Sequence, residues 1–143
     1  MRVMSLDVGT KTIGIAVSDL MGIIANGVET IHRTSKERDY KRLAELIKEH
    51  EVDTLVLGYP KNMNGSVGER AQVCEAMAAE LKELFPDLKD VVLWDERLST
   101  VAATRVMVDA DISRKKRKKV VDMMAAVVIL QNYLDSKQFK ARL

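Results

Sequence analysis

Four carboxylates hold the chemistry that this sequence could perform: Asp7, the adjacent pair Asp95 and Glu96, and Asp122. Asp7 lies inside the apolar run Val3-Met4-Ser5-Leu6-Asp7-Val8, where a carboxylate is a poor strand former and costly to bury alone. A metal ion, a positive group or a row of backbone N–H donors must compensate it. Asp95 and Glu96 close a second apolar run, Val91-Val92-Leu93-Trp94. Helical steps from Asp122 reach Ala125, Ala126, Ile129, Leu130 and Tyr133, so this acid heads an apolar stripe instead of sitting on a polar face. An acid in a first helical turn also favours the helix dipole. That role, however, does not require a core-facing position.

Carboxylates gathered in one place repel, and their pKa values rise unless a cation joins them. A divalent ion with hard oxygen ligands resolves the repulsion, and Mg²⁺ or Mn²⁺ suits an all-carboxylate set. Such ions activate water and stabilise a leaving oxygen in phosphodiester hydrolysis. Just ahead of Asp122 runs Arg114-Lys115-Lys116-Arg117-Lys118-Lys119, six positive charges in a chain whose net charge is only +2. The rest of the chain is therefore acidic, and one concentrated basic block points to a local polyanion contact. Its plain alternative is a solvated loop. With Lys11 and Arg97 beside the acids, the block is a candidate nucleic-acid surface, and acids edged by positive charge are what a nuclease needs.

The elements that must position these groups read as an α/β order. Residues 2–19 form two apolar runs around Gly9-Thr10-Lys11, the pattern of a β-hairpin. Gly22 to Ile31 reads as a third strand, with Ile23, Ile24, Val28 and Ile31 as its apolar members. Thr34 and Glu37 read as a capping box for a helix to about His50. A continuous run, Thr54 to Gly58, fits a strand covered on both faces. Ser66 and Glu69 read as a second capping box, for a helix that Pro86 stops. After the strand at 91–94, Ser99 is placed to cap a helix through Met107, and a last helix spans about Val120 to Leu134. The expectation is one domain over residues 1–143, with a mixed five-stranded sheet: three antiparallel strands, then two parallel ones, flanked by helices. Sites in such sheets form beyond the carboxyl ends of the parallel strands.

Hydrophobic residues at 47% and charged residues at 31% describe a globular chain with enough length for a core. No apolar run is long enough to span a membrane and no signal-peptide layout opens the chain, so the cytoplasm is the expected location. The single cysteine, Cys74, rules out an internal disulfide and sits on an apolar helical stripe as a core residue. Aromatic residues at 4% argue against recognition of single strands by base stacking.

Leu6-Asp7-Val8-Gly9-Thr10-Lys11, Leu57-Gly58-Tyr59-Pro60 with Gly65, Asp95-Glu96-Arg97-Leu98-Ser99-Thr100, the basic block, and Val121-Asp122-Met123-Met124-Ala125-Ala126 with Ile129-Leu130-Gln131 together resemble the YqgF/RuvX family. The resemblance covers nearly the whole chain. It implies an RNase H-like fold related to the junction resolvase RuvC. The implied activity is a nuclease that processes the 5′ end of pre-16S rRNA, with Holliday junction resolution as the older proposal. By matched position, Asp7, the Asp95–Glu96 pair and Asp122 would be the catalytic metal ligands. Neighbours on a strand face opposite ways, so one of the pair points away; Glu96 has the longer reach. Ala125 or Ala126 stands where RuvC-like enzymes carry a further acid. Resolving a two-fold junction would call for a homodimer.

Two other readings fit parts of the sequence. Asp7-Val8-Gly9-Thr10-Lys11 also resembles the first phosphate loop of actin-like ATPases, but the chain has no second such loop. A nucleic-acid-binding module without catalysis would use the basic block alone.

Overall fold

The computed structural model describes residues 2–59, 68–95 and 114–142, with side chains in the last helix described from 123 to 137. Five strands, β1 (Arg2–Val8), β2 (Thr12–Ser18), β3 (Ala25–His32), β4 (Val52–Tyr59) and β5 (Asp90–Asp95), form one sheet in the order β3-β2-β1-β4-β5. β1, β2 and β3 pair antiparallel, and β4 and β5 add in parallel. This is the expected mixed sheet. Each parallel step is made through a helix, α1 (Lys36–Glu49) and α2 (Glu69–Leu84), because parallel neighbours need a long crossover. The chain ends in a long helix, α3 (Arg114–Arg142).

Strand alternation sorts the side chains into two layers. Met4, Leu6 and Val8 of β1, Ile13, Ile15 and Val17 of β2, and Leu55, Leu57 and Tyr59 of β4 pack with α1 and α2. Ala16, Ala25 and Val56, with partly buried Val3, Val92 and Trp94, pack instead against Ala126, Ile129, Leu130, Tyr133 and Leu134 of α3. Cys74 is buried in the first layer, as expected.

Several local expectations change. The N-cap of α1 is Ser35, whose side chain accepts from the Arg38 N–H, and not Thr34. Thr34 donates its own N–H to Asp39, which fixes the approach to the helix. Ile23 and Ile24 lie ahead of β3 and are exposed; their N–H groups are taken by the Asp19 carboxylate, which holds them in the turn. The residue capping α2 is Gly68, and Ser66 lies outside the described residues. The last helix starts at Arg114, so the basic block belongs to its opening turns and not to a loop. The helix expected after Ser99 also lies outside the described residues.

Candidate active site

Since Met4, Leu6 and Val8 face α1 and α2, the alternate residues Val3, Ser5 and Asp7 face α3. The buried Ser5 hydroxyl donates to the Ala126 carbonyl at 2.6 Å. Asp7 is the next residue of β1 on this face, at the carboxyl end. Its partner on β2 is Gly14, and the partner of Gly14 on β3 is Thr30. Directly opposed residues share a face, so the place beside Asp7 carries no side chain. On the other flank, Gly58 follows Leu57, the partner of Leu6, and itself pairs with Trp94 of β5. Trp94 packs edge-on against Tyr133 of α3, with ring centres 5.6 Å apart.

Asp7 accepts no hydrogen bond among the described residues. Burial pushes its pKa above the usual carboxylate value, and the positive charge of Arg70 acts the other way. A carboxylate withdrawn from water in this manner takes up a proton or a cation. Two more polar atoms at this level of the sheet, Thr30 Oγ1 and Trp94 Nε1, are buried without a hydrogen-bond partner among the described residues. The row running from Thr30 through Gly14 and Asp7 to Trp94 is thus an under-satisfied polar strip under α3.

The direction of α3 decides which of its residues approaches this strip. A Cβ on Gly27 would meet Met123 and Val127 at 3.5 Å, and Gln131 bonds to Ala25 N–H and the Ile23 carbonyl. As α3 advances, it therefore moves back along β3, which is parallel to β1. Followed backwards from Ala126, the helix heads toward the carboxyl end of β1. Asp122 is four residues before Ala126, a rise of ~6 Å, and Asp7 is two residues beyond Ser5, ~6.6 Å along the strand. At the level of the backbone, the two acids stand at the same end of the sheet.

Asp95 is the last residue of β5 and pairs with Tyr59. Tyr59 is buried on the α2 side, where its hydroxyl donates to Glu75, and Val91 and Leu93 share that side. Alternation thus sets Asp95 on the opposite face of the sheet from Asp7. Glu96 and Arg97 lie outside the described residues. Of Asp122 and of the block Arg114, Lys115, Lys116, Arg117, Lys118 and Lys119, only the helical backbone is described. Lys11 is exposed in the β1–β2 turn, where its carbonyl accepts the Arg33 N–H at 2.9 Å. Among the described residues, no three His, Cys, Asp or Glu side chains gather into a metal cluster. Arg70, Thr30 and Trp94 were not legible as site residues: an arginine in a first helical turn and a threonine in a strand carry no signal of their own.

A family model described as RuvX, Holliday junction resolvase, matches residues 1–136. The "Putative pre-16S rRNA nuclease" of Geobacillus sp. is 59% identical over 140 residues, covering 96% of this chain and all of the relative. The protein of the same name from Bacillus cytotoxicus is 56% identical over the same shares. Among solved structures, Thermus thermophilus RuvC in complex with a Holliday junction substrate is similar with a TM-score of 0.65 at 15% identity, covering 97% of this chain and 96% of that one. The fowlpox virus Holliday junction resolvase is similar with a TM-score of 0.57 at 14% identity, covering 95% and 99%. At these identities the likeness is one of fold.

Proposed function

This chain belongs to the RuvX family, and from that premise we propose that it is a metal-dependent endonuclease cutting phosphodiester bonds in structured nucleic acid. Its substrate is pre-16S rRNA, the reading supported by the names of its relatives, and the family resemblance implies the 5′ end as the place of cutting. It acts as a single domain over residues 1–143 in the cytoplasm. Among the described residues no helix is long and apolar enough to cross a membrane.

The observation that carries the proposal is the state of Asp7. It is a carboxylate drawn out of water at a strand end, with a raised pKa and no hydrogen bond from the described residues. Oxygen donors of this kind fit a hard divalent cation, Mg²⁺ or Mn²⁺. Asp7, Glu96 and Asp122 would hold it. Asp95 is left out of the ligand set because it shares its face with Val91 and Leu93. When bound, the ion supplies an activated water and neutralises charge on the leaving oxygen. The chain's own part is to fix Asp7 on a central strand and to bring phosphate to it. Lys11, Arg97 and the basic opening of α3 attract the backbone of the substrate, with α3 held to β1 through Ser5 and Ala126.

The test compares Mg²⁺-dependent cleavage of a pre-16S rRNA 5′ fragment and of a four-way DNA junction by the wild type, Asp7→Asn and Asp122→Asn, each checked for folding by circular dichroism. Loss of cleavage in both variants is expected. Undiminished cleavage would remove the carboxylates from the reaction. Junction resolution is the second reading, favoured by the description of the family model. Preferred cutting of the junction, by a dimer in solution, would establish it over the RNA.

A further inference from the structure

On the α1 and α2 side of the β1–β2 turn lies an open cleft of about 490 Å³, bounded by Gly9, Thr10, Arg33, Lys36, Asp39 and Arg70 among others. That volume is in the ~300–1,000 Å³ range of small-ligand sites. Three cations face one carboxylate. Asp39 is accounted for: it is buried, and its carboxylate takes the Thr34 N–H at 3.2 Å and lies 3.7 Å from Arg33. Arg33 is fixed as well, since it donates to the Gly9 carbonyl at 2.7 Å. Lys36 reaches away to Glu80 at 3.0 Å. Arg70 alone of the three makes no hydrogen bond or ion pair with the described residues, although its charge is felt at Asp7.

We propose that this cleft binds a backbone phosphate of the substrate strand next to the bond that is cut, with Arg70 as its principal contact. The proposal rests on the nuclease reading and extends it. Arg70 and Arg33 border the cleft on the α1 and α2 side of the sheet, whereas α3, which the basic block opens, packs on the other face. A strand crossing the carboxyl edge of the sheet over Asp7 therefore meets positive charge on both flanks. The guanidinium of Arg70 can grip a phosphate with two parallel hydrogen bonds, and the pinned Arg33 adds charge without having to be ordered first. With the phosphate seated between Arg70 and the turn, the neighbouring phosphodiester lies over the Asp7 end of β1.

The test measures binding of a labelled pre-16S rRNA 5′ fragment and of a labelled four-way DNA junction in EDTA, across a series of KCl concentrations. The proteins are wild type, Arg70→Ala, Arg70→Lys and, as a control for loss of one charge elsewhere, Lys48→Ala. Arg70→Ala should raise Kd roughly tenfold or more at low salt. It should also make the plot of log K against log salt shallower by about one. Arg70→Lys should keep the slope and lose part of the affinity, and Lys48→Ala should match the wild type. If Arg70→Ala keeps the wild-type slope while the wild type binds and cleaves, the cleft proposal is overturned and the nuclease reading stands. If the wild type binds neither nucleic acid, both fall. Calorimetry with Mg-ATP and with inorganic phosphate separates a free ligand from a strand: Arg70-dependent ATP or phosphate binding with unchanged nucleic-acid slopes would also overturn the proposal.

Discussion

The hydroxyl of Ser5 donates a 2.6 Å hydrogen bond to the carbonyl oxygen of Ala126, joining a central strand to the last helix across 121 residues of sequence. Ser5 precedes Asp7 by one place on the same face, and Ala126 follows Asp122 by one turn. This bond therefore sets the height of α3 over the end of β1. Ser5→Ala is expected to cost about 1 kcal/mol, read as a Tm lower by about 3 °C. Cleavage well below the Tm should fall as well, because α3 gains freedom to slide. Ser5→Thr keeps the hydroxyl and should recover activity. A Ser5→Ala variant that is less stable yet fully active would show that the bond serves folding alone.

Asp7 is expected to weaken the metal-free protein. Its folded pKa is raised above 3.8 by burial, so folding favours the protonated acid. Below the unfolded pKa both states hold the proton and no penalty exists. As pH rises from the unfolded pKa toward the folded one the penalty develops, and above the folded pKa it is complete. Asp7→Asn should therefore melt higher than the wild type at pH 7 in EDTA, and equally at pH 3. Mg²⁺ should raise the Tm of the wild type and leave that of the variant unchanged. Activity should fall at least about 100-fold, more than removal of an outer-shell partner costs. Equal melting at pH 7 in EDTA would mean that Asp7 is already compensated without metal.

The two glycines against β1 and α3 should respond differently to a methyl group. A Cβ on Gly9 would lie 3.1 Å from the backbone carbonyl oxygen of Thr12, the acceptor that closes the β1–β2 turn at 2.8 Å. Backbone cannot swing aside as a side chain can. Gly9→Ala is expected to cost about 1–3 kcal/mol and to lower cleavage, since the turn begins two residues from Asp7. A Cβ on Gly27 would meet Met123 and Val127 at 3.5 Å, ordinary contact distance. Gly27→Ala should be nearly neutral in thermal melting, whereas Gly27→Leu should lift α3 and reduce activity. Similar losses for both alanine variants would contradict this account.

The sheet and its two layers were legible because alternation has a period of two and both faces are buried: Leu6, Leu55 and Leu57 on one, Ser5 and Val56 on the other. Asp7 stood out for the same reason, as a charge in a strand position. What the pattern left unread depends on individual side-chain contacts, several of them only four or five residues apart. Ser35 and Thr34 are equal as caps until Asp39 takes the Thr34 N–H. Ile23 and Ile24 look like strand residues, but the Asp19 carboxylate holds their N–H groups in a turn. The face that Asp95 takes turns on one residue of register, which its pairing with Tyr59 gives and local sequence does not. Arg70 reads as an ordinary solvated charge until the cleft beside it is seen.

The basic block offers a test in which stability and binding move in opposite directions. Residues 114–119 open α3, and the first turn contains no acid. Positive charge there opposes the helix dipole, at about 0.3–1 kcal/mol for a favourably reversed charge. Like charges three and four residues apart add repulsion. A polyanion lying along these turns relieves both. Replacing Lys115, Lys116, Lys118 and Lys119 by Gln should therefore raise the Tm of the free protein, seen by differential scanning fluorimetry. The same substitution should weaken binding to the rRNA fragment and flatten its salt dependence, by up to about four units of slope if each lysine meets a phosphate. Wild-type Tm should rise on adding the RNA, and that rise should vanish in high salt. If the quadruple variant lost stability and affinity together, the block would be part of the folded core of the molecule and not a surface built to hold phosphates.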